Sequence, residues 1–94
     1  MIETFDNIFE ALGETQAEAA NLTARADLMI SIRDRVKNWD VPQEQAAARL
    51  GLTRPRLNDL LRGKLDKFSL DALVNIASAA GFTLHILLED TKAA

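Results

Sequence analysis

Residues 42–63 read PQEQAAARLGLTRPRLNDLLRG, and their spacing decides the fold. Ala46, Ala47 and Leu50 mark one short helix that Gly51 ends; Thr53 caps the next, Pro55 sits in its first turn, and Gly63 stops it. A Gly-containing turn of three residues joins the two. Ala46 and Ala47 are small enough for close crossing, while Leu52 and Leu57 fill the angle between the helices and Leu57, Leu60 and Leu61 form a buried stripe. This is the helix-turn-helix arrangement, in which the second helix enters the DNA major groove with its N-terminal residues at base edges.

Working outward, Asp40 is expected to cap the first of these helices, with Pro42 in its first turn. Upstream, Thr15 and Glu18 form a capping-box pattern, and nothing breaks a helix from there to Trp39. Leu22, Met29, Ile32 and Val36 share its inner face with Leu28 beside them. At ~1.5 Å per residue this helix runs about 35 Å, so it must extend beyond the core or bend. Trp39 is read as packing at its end. Before it, Phe5, Ile8, Phe9 and Leu12 fall on one face of a short amphipathic helix closed by Gly13. Downstream, KLDKF reads as a linker, and Ser69 caps a helix with Leu70, Leu73, Val74, Ile76 and Ala77 inward until Gly81. In FTLHILLED, Phe82, Leu84, Ile86 and Leu88 alternate strictly, which predicts a strand; His85 falls on its polar side. A lone strand needs a partner, so the strand is expected to pair with its copy in a dimer or to lie as an extended arm.

The 94 residues carry a net charge of −3, but the charge is divided. Glu3, Asp6, Glu10, Glu14 and Glu18 give residues 1–24 a charge of −5, whereas Arg49, Arg54, Arg56, Arg62, Lys64 and Lys67 against Asp59 and Asp66 give residues 49–67 a charge of +4. A chain of this length makes one domain with a modest core. There is no cysteine and one histidine, which removes disulfides, thiolate zinc sites and thiol nucleophiles and leaves no metal expected. No cofactor is expected either. With neither a membrane-length apolar run nor an export signal in MIETFDNIFE, a cytoplasmic protein without membrane contact is expected.

The sequence resembles the Xre-type helix-turn-helix regulators, and among them the HigA-like antitoxins of toxin–antitoxin pairs. The resemblance runs through EAANLTARADLMISIR, QEQAAARLGLTRPRLNDLLRG and KLDKFSLDALVNIASAAG, and the last two blocks together are the specific part. Arg54 stands where many relatives carry Gln, Asn58 where they carry Ser, and Pro42 where they carry Thr, so the operator sequence is not carried over. The resemblance implies a mainly α fold: a five-helix, lambda-repressor-like helix-turn-helix domain with a short C-terminal β-strand. Residues 1–14 are expected to form an acidic amphipathic arm, 15–81 the DNA-binding domain, and 82–94 a dimerising strand and tail.

It also implies a dimeric autorepressor of a palindromic operator in double-stranded DNA that neutralises a small basic HigB/RelE-like ribonuclease toxin. Gln43 matches a position that holds phosphate or supports the recognition helix, and Arg54 and Arg56 match base-reading or phosphate positions. Thr53, Asn58, Arg62 and Lys64 complete the candidate DNA-binding set. Arg can take guanine, and Asn adenine, with two hydrogen bonds. Asp59 is expected to anchor Arg62 or Arg56 rather than touch DNA. Phe5, Ile8, Phe9, Glu10 and Leu12 are the candidate toxin-binding residues; Phe82, Leu84, Ile86 and Leu88 the candidate dimer contacts. Alternatively, the apolar stripe of the arm covers the domain's own core. Competing readings are a stand-alone regulator without a toxin and an interaction module that has lost DNA binding. An enzyme is disfavoured, because no carboxylate pair, Cys, Tyr or His–acid constellation converges at any spacing.

Overall fold

The computed structural model describes residues 15–90. Helices α1 (Gln16–Trp39), α2 (Gln43–Leu50), α3 (Arg54–Leu61) and α4 (Leu70–Ala79) follow in order, with a 3₁₀ turn at Leu65–Lys67 between α3 and α4. The expected helix over residues 5–12 lies outside the described residues.

Local capping chemistry sets most of these boundaries. The Thr15 hydroxyl accepts the Glu18 N–H at 3.0 Å and the Glu18 carboxylate accepts the Thr15 N–H at 3.2 Å, a complete capping box. Thr53 and Ser69 cap α3 and α4 through the N–H groups of Arg56 and Ala72. Asp40, by contrast, does not cap α2. It ends α1 in the left-handed conformation (φ 51°, ψ 50°), donating its N–H to the Lys37 carbonyl. Pro42 is the N-cap of α2, since its fixed φ with an extended ψ of 149° lets its carbonyl accept from Gln45 and Ala46 at 3.0 Å each. Gly51 turns the chain from α2 towards α3 at φ 70°, a conformation that costs side-chain-bearing residues about 1–2 kcal/mol.

α1 packs against α4, and α2 packs against α3. Met29, Ile32 and Val36 from α1 meet Ala46, Ala47 and Leu50 from α2, Leu57 and Leu60 from α3, and Leu73, Ile76 and Ala77 from α4. Every buried residue of α1 lies in its C-terminal half, so the helix extends beyond the core. Leu22, expected on the inner face, is half-buried outside this cluster; Leu61, Leu70 and Val74 are likewise only half-buried. Trp39 packs on the core edge, with the Arg49 guanidinium 4.8 Å from its ring centre.

Two segments depart from expectation. KLDKF is not a bare linker: it contains the 3₁₀ turn and delivers Phe68 into the core at 1% exposure. Residues 82–90 form no strand, because among the described residues no neighbouring strand offers backbone partners. Phe82, expected in a dimer contact, turns inward instead. It packs on the core, donates its N–H to the Ala77 carbonyl at 3.0 Å and lies under the Arg35 guanidinium at 3.6 Å. Beyond it Leu84, Ile86 and Leu88 are exposed, the last two at 79% and 88%.

Phe68→Ala is expected to lower the unfolding free energy by about 3–5 kcal/mol, as for other buried aromatics. Gly51→Ala is expected to cost about 1–2 kcal/mol through backbone strain alone, because nothing lies within 4 Å of the added methyl group. Urea denaturation of the two variants checks both values.

Candidate nucleic-acid interface

The electrostatics of α3 differ from those of its neighbours. A helix N-terminus carries partial positive charge and favours acidic side chains in its first turn. α1, α2 and α4 follow this rule with Glu18, Glu44 and Asp71. α3 has no acidic residue there and places Arg54 and Arg56 in that turn. The helix dipole and the Arg54 guanidinium therefore combine at one exposed end, where an anion such as a phosphate is favoured. A local preference broken this way is the kind of violation that functional sites carry.

Arg54, Asn58 and Arg62 are spaced by four residues and share one face of α3 and its cap. All three are exposed, and their side chains make no hydrogen bond or ion pair among the described residues. Thr53 stands at the head of this stripe; its hydroxyl oxygen is engaged as the helix cap, which leaves its O–H free to donate. Gln43 begins α2 and is exposed beside a hollow of about 180 Å³ whose far wall includes Leu57 and Leu61 of α3. The fold thus brings Gln43, Thr53, Arg54, Asn58 and Arg62 to the helix-turn-helix surface.

Arg56 is placed differently. Its Nη1 donates to the Lys67 carbonyl at 2.6 Å, and its guanidinium carbon sits 4.0 Å from the centre of the Phe68 ring. This side chain ties α3 to the turn that follows it. Lys64 pairs with Asp59 at 3.6 Å, so the partner of Asp59 is Lys64 rather than Arg62 or Arg56. The chain wraps back after α3, with the Lys64 N–H on the Asp59 carbonyl, and this brings the two side chains together.

Arg25 had no assigned role from sequence, yet its Nη1 donates to the carbonyls of Leu65 at 2.9 Å and Phe68 at 3.3 Å, while its Nε donates to Asn21. It fastens the same turn to α1 from the other side. Phe68 was the available signal: an aromatic five residues past the stop at Gly63, too large to leave in water, needs flanking groups to fix it. Phe5, Ile8, Phe9, Glu10 and Leu12 lie outside the described residues. No group of acidic or histidine side chains suited to a metal occurs among the described residues, and none of their helices is long and apolar enough to cross a membrane.

A family described as a helix-turn-helix domain matches residues 8–89 of the chain. No curated protein sequence matches it.

The two arginines of the first turn are expected to separate in a stability measurement. Arg56→Ala loses a hydrogen bond and a ring contact and should lower the unfolding free energy by about 1 kcal/mol. Arg54→Ala should change it by less than about 0.5 kcal/mol, as for an exposed side chain without partners. Paired chemical denaturation curves check the contrast.

Proposed function

The chain belongs to this helix-turn-helix family, and on that premise we propose that it is an Xre-type transcriptional repressor that doubles as an antitoxin. The observation that carries the DNA-binding part is the exposed stripe of Arg54, Asn58 and Arg62 on a helix whose first turn holds two arginines and no carboxylate. Arg54 and Asn58 supply the donors that read guanine and adenine edges in the major groove; Gln43 at the start of α2 and Thr53 hold the adjoining phosphates. Arg62 and Lys64 add phosphate contacts at the far end. Arg56 serves the fold and retains further N–H groups for a phosphate beside it.

In this proposal the operator is palindromic and the protein binds it as a homodimer, with half-sites about 34–36 Å apart. Support for the dimer lies in the exposed apolar run after Phe82. Leu84, Ile86 and Leu88, joined by Leu87, leave a large apolar area in water unless another chain covers it. Pairing of residues 84–88 with their counterpart would supply the backbone partners that the described residues of one chain do not offer.

The acidic segment 1–14 is proposed to bind a small basic ribonuclease-like toxin, with Phe5, Ile8, Phe9 and Leu12 as apolar anchors and carboxylates such as Glu10 steering the encounter. This part rests on the charge pattern and on the family resemblance. If it is correct, deleting residues 1–14 abolishes co-purification with the product of the adjacent gene. Retention at full strength reduces the protein to a stand-alone regulator.

Arg54→Ala is expected to weaken binding to a promoter fragment by about 1–3 kcal/mol and to relax one base position. Mobility-shift titrations at two salt concentrations test this, and equal binding by wild type and variant would overturn the DNA-reading assignment. Ile86→Asp should convert the dimer to a monomer in sedimentation and weaken operator binding with it.

A further inference from the structure

α1 carries Arg25, Arg33 and Arg35, and all three side chains are half-buried. Two of them have their acceptors. Arg25 donates to the Leu65 and Phe68 carbonyls, and Arg35 donates to the Ala80 carbonyl with the Phe82 ring beneath it. Arg33 is different. Its Nε is buried without a hydrogen-bond partner, and its guanidinium makes no ion pair or ring contact among the described residues. A covered donor on a charged group is costly when no acceptor meets it, so this guanidinium needs an explanation beyond packing.

Its surroundings are those of the recognition helix. Arg33 Nη1 lies 3.5 Å from the point that a β-carbon on Gly63 would occupy, and Gly63 stands between Arg62 and Lys64 at the end of α3. One turn further along α1, Lys37 is exposed and makes no ion pair among the described residues. Lys37 lines the same hollow as Gln43 and Leu61; the acidic residue of that hollow, Asp40, is not paired with it. The two cations of α1 thus lie between the start of α2 and the end of α3. Of the buried side-chain atoms, only Nε of Arg33 is covered and unmet, so the stem of the side chain is enclosed while its Nη groups stay within reach of solvent.

We propose that Arg33 and Lys37 bind backbone phosphates of double-stranded DNA, so that α1 grips the duplex together with the helix-turn-helix; this rests on the DNA-binding reading and names further contacts for it. Gln43, Lys37, Arg33 and Arg62 then form one track for the sugar–phosphate backbone, while the first turn of α3 faces base edges. A phosphate oxygen supplies the acceptor that the fold withholds from Arg33. Because its stem is covered, an ionic hydrogen bond from Nη is stronger there than on an open surface. Contacts of this kind fix the position of the protein on the duplex and carry no sequence information.

Titrations of the full-length protein on the promoter duplex and on an unrelated duplex of equal length, each over a range of salt concentrations, test this role. Arg33→Gln and Lys37→Gln are each expected to weaken binding to both duplexes several-fold and by the same factor. The slope of log K against log salt should shrink by about 0.9 for each phosphate contact removed. Arg33→Lys, which keeps the charge, should keep the wild-type slope, and Arg54→Ala should instead weaken the promoter duplex selectively. An unchanged slope in either glutamine variant would overturn the proposal, whatever its affinity, because a merely structural role lowers affinity without removing a released counterion. Lys37 is exposed and outside the core, so its variant decides the matter even if Arg33→Gln is poorly folded. Failure of the wild type to bind either duplex would overturn the DNA-binding reading itself and this proposal with it.

Discussion

The placement of the recognition helix depends on one buried ring. Phe68 follows α3 by a few residues and is 1% exposed. The Arg56 guanidinium from α3 covers its face, and the Arg25 guanidinium from α1 holds its carbonyl and that of Leu65. Burial of the ring supplies the driving force, on the order of 3 kcal/mol, and the two arginines convert it into orientation. α3 is thereby joined to α1 not only through Leu57 and Leu60 but through the turn at its end. A short helix of eight residues is marginal alone, so this external fixing keeps its exposed face in a defined orientation.

Charge follows the same division of labour. Arginines with partners hold the scaffold: Arg25 and Arg56 on the turn, Arg35 on the Ala80 carbonyl and the Phe82 ring, Arg49 over Trp39. Arg54 and Arg62 have none among the described residues and point outward, where their charge acts on whatever approaches. The net charge of −3 conceals this, because the acidic N-terminal segment more than offsets the basic one.

Boundaries set by local chemistry were legible in the sequence. The Thr15–Glu18 box, the Thr53 and Ser69 caps and the turn at Gly51 each depend on contacts within a few residues, and each is found where the pattern put it. Features that depend on distant partners were not. Phe68 has no periodic companion, so spacing alone does not mark it as core, and only the size of its ring hints at burial. The alternation in residues 82–88 describes a strand only if another strand lies beside it, and Phe82 finds the gap beneath Arg35 a better place for its ring. Asp40 and Pro42 each suit a helix start, and only the left-handed backbone of Asp40 decides between them. At the interface, spacing revealed which residues share a face of α3 but could not reveal that Arg56, two positions from Arg54, is occupied by Lys67 and Phe68.

This separation of Arg54 from Arg56 bears on how a helix-turn-helix domain of this kind can diverge. Substitutions at positions 54 and 58 leave the packing untouched, so they can accumulate without eroding the small reserve of folding free energy that a domain of this size holds. Position 56 has no such freedom. A duplicated copy could therefore change what its exposed face binds through a few side chains and become insulated from its parent, while both copies keep the same scaffold.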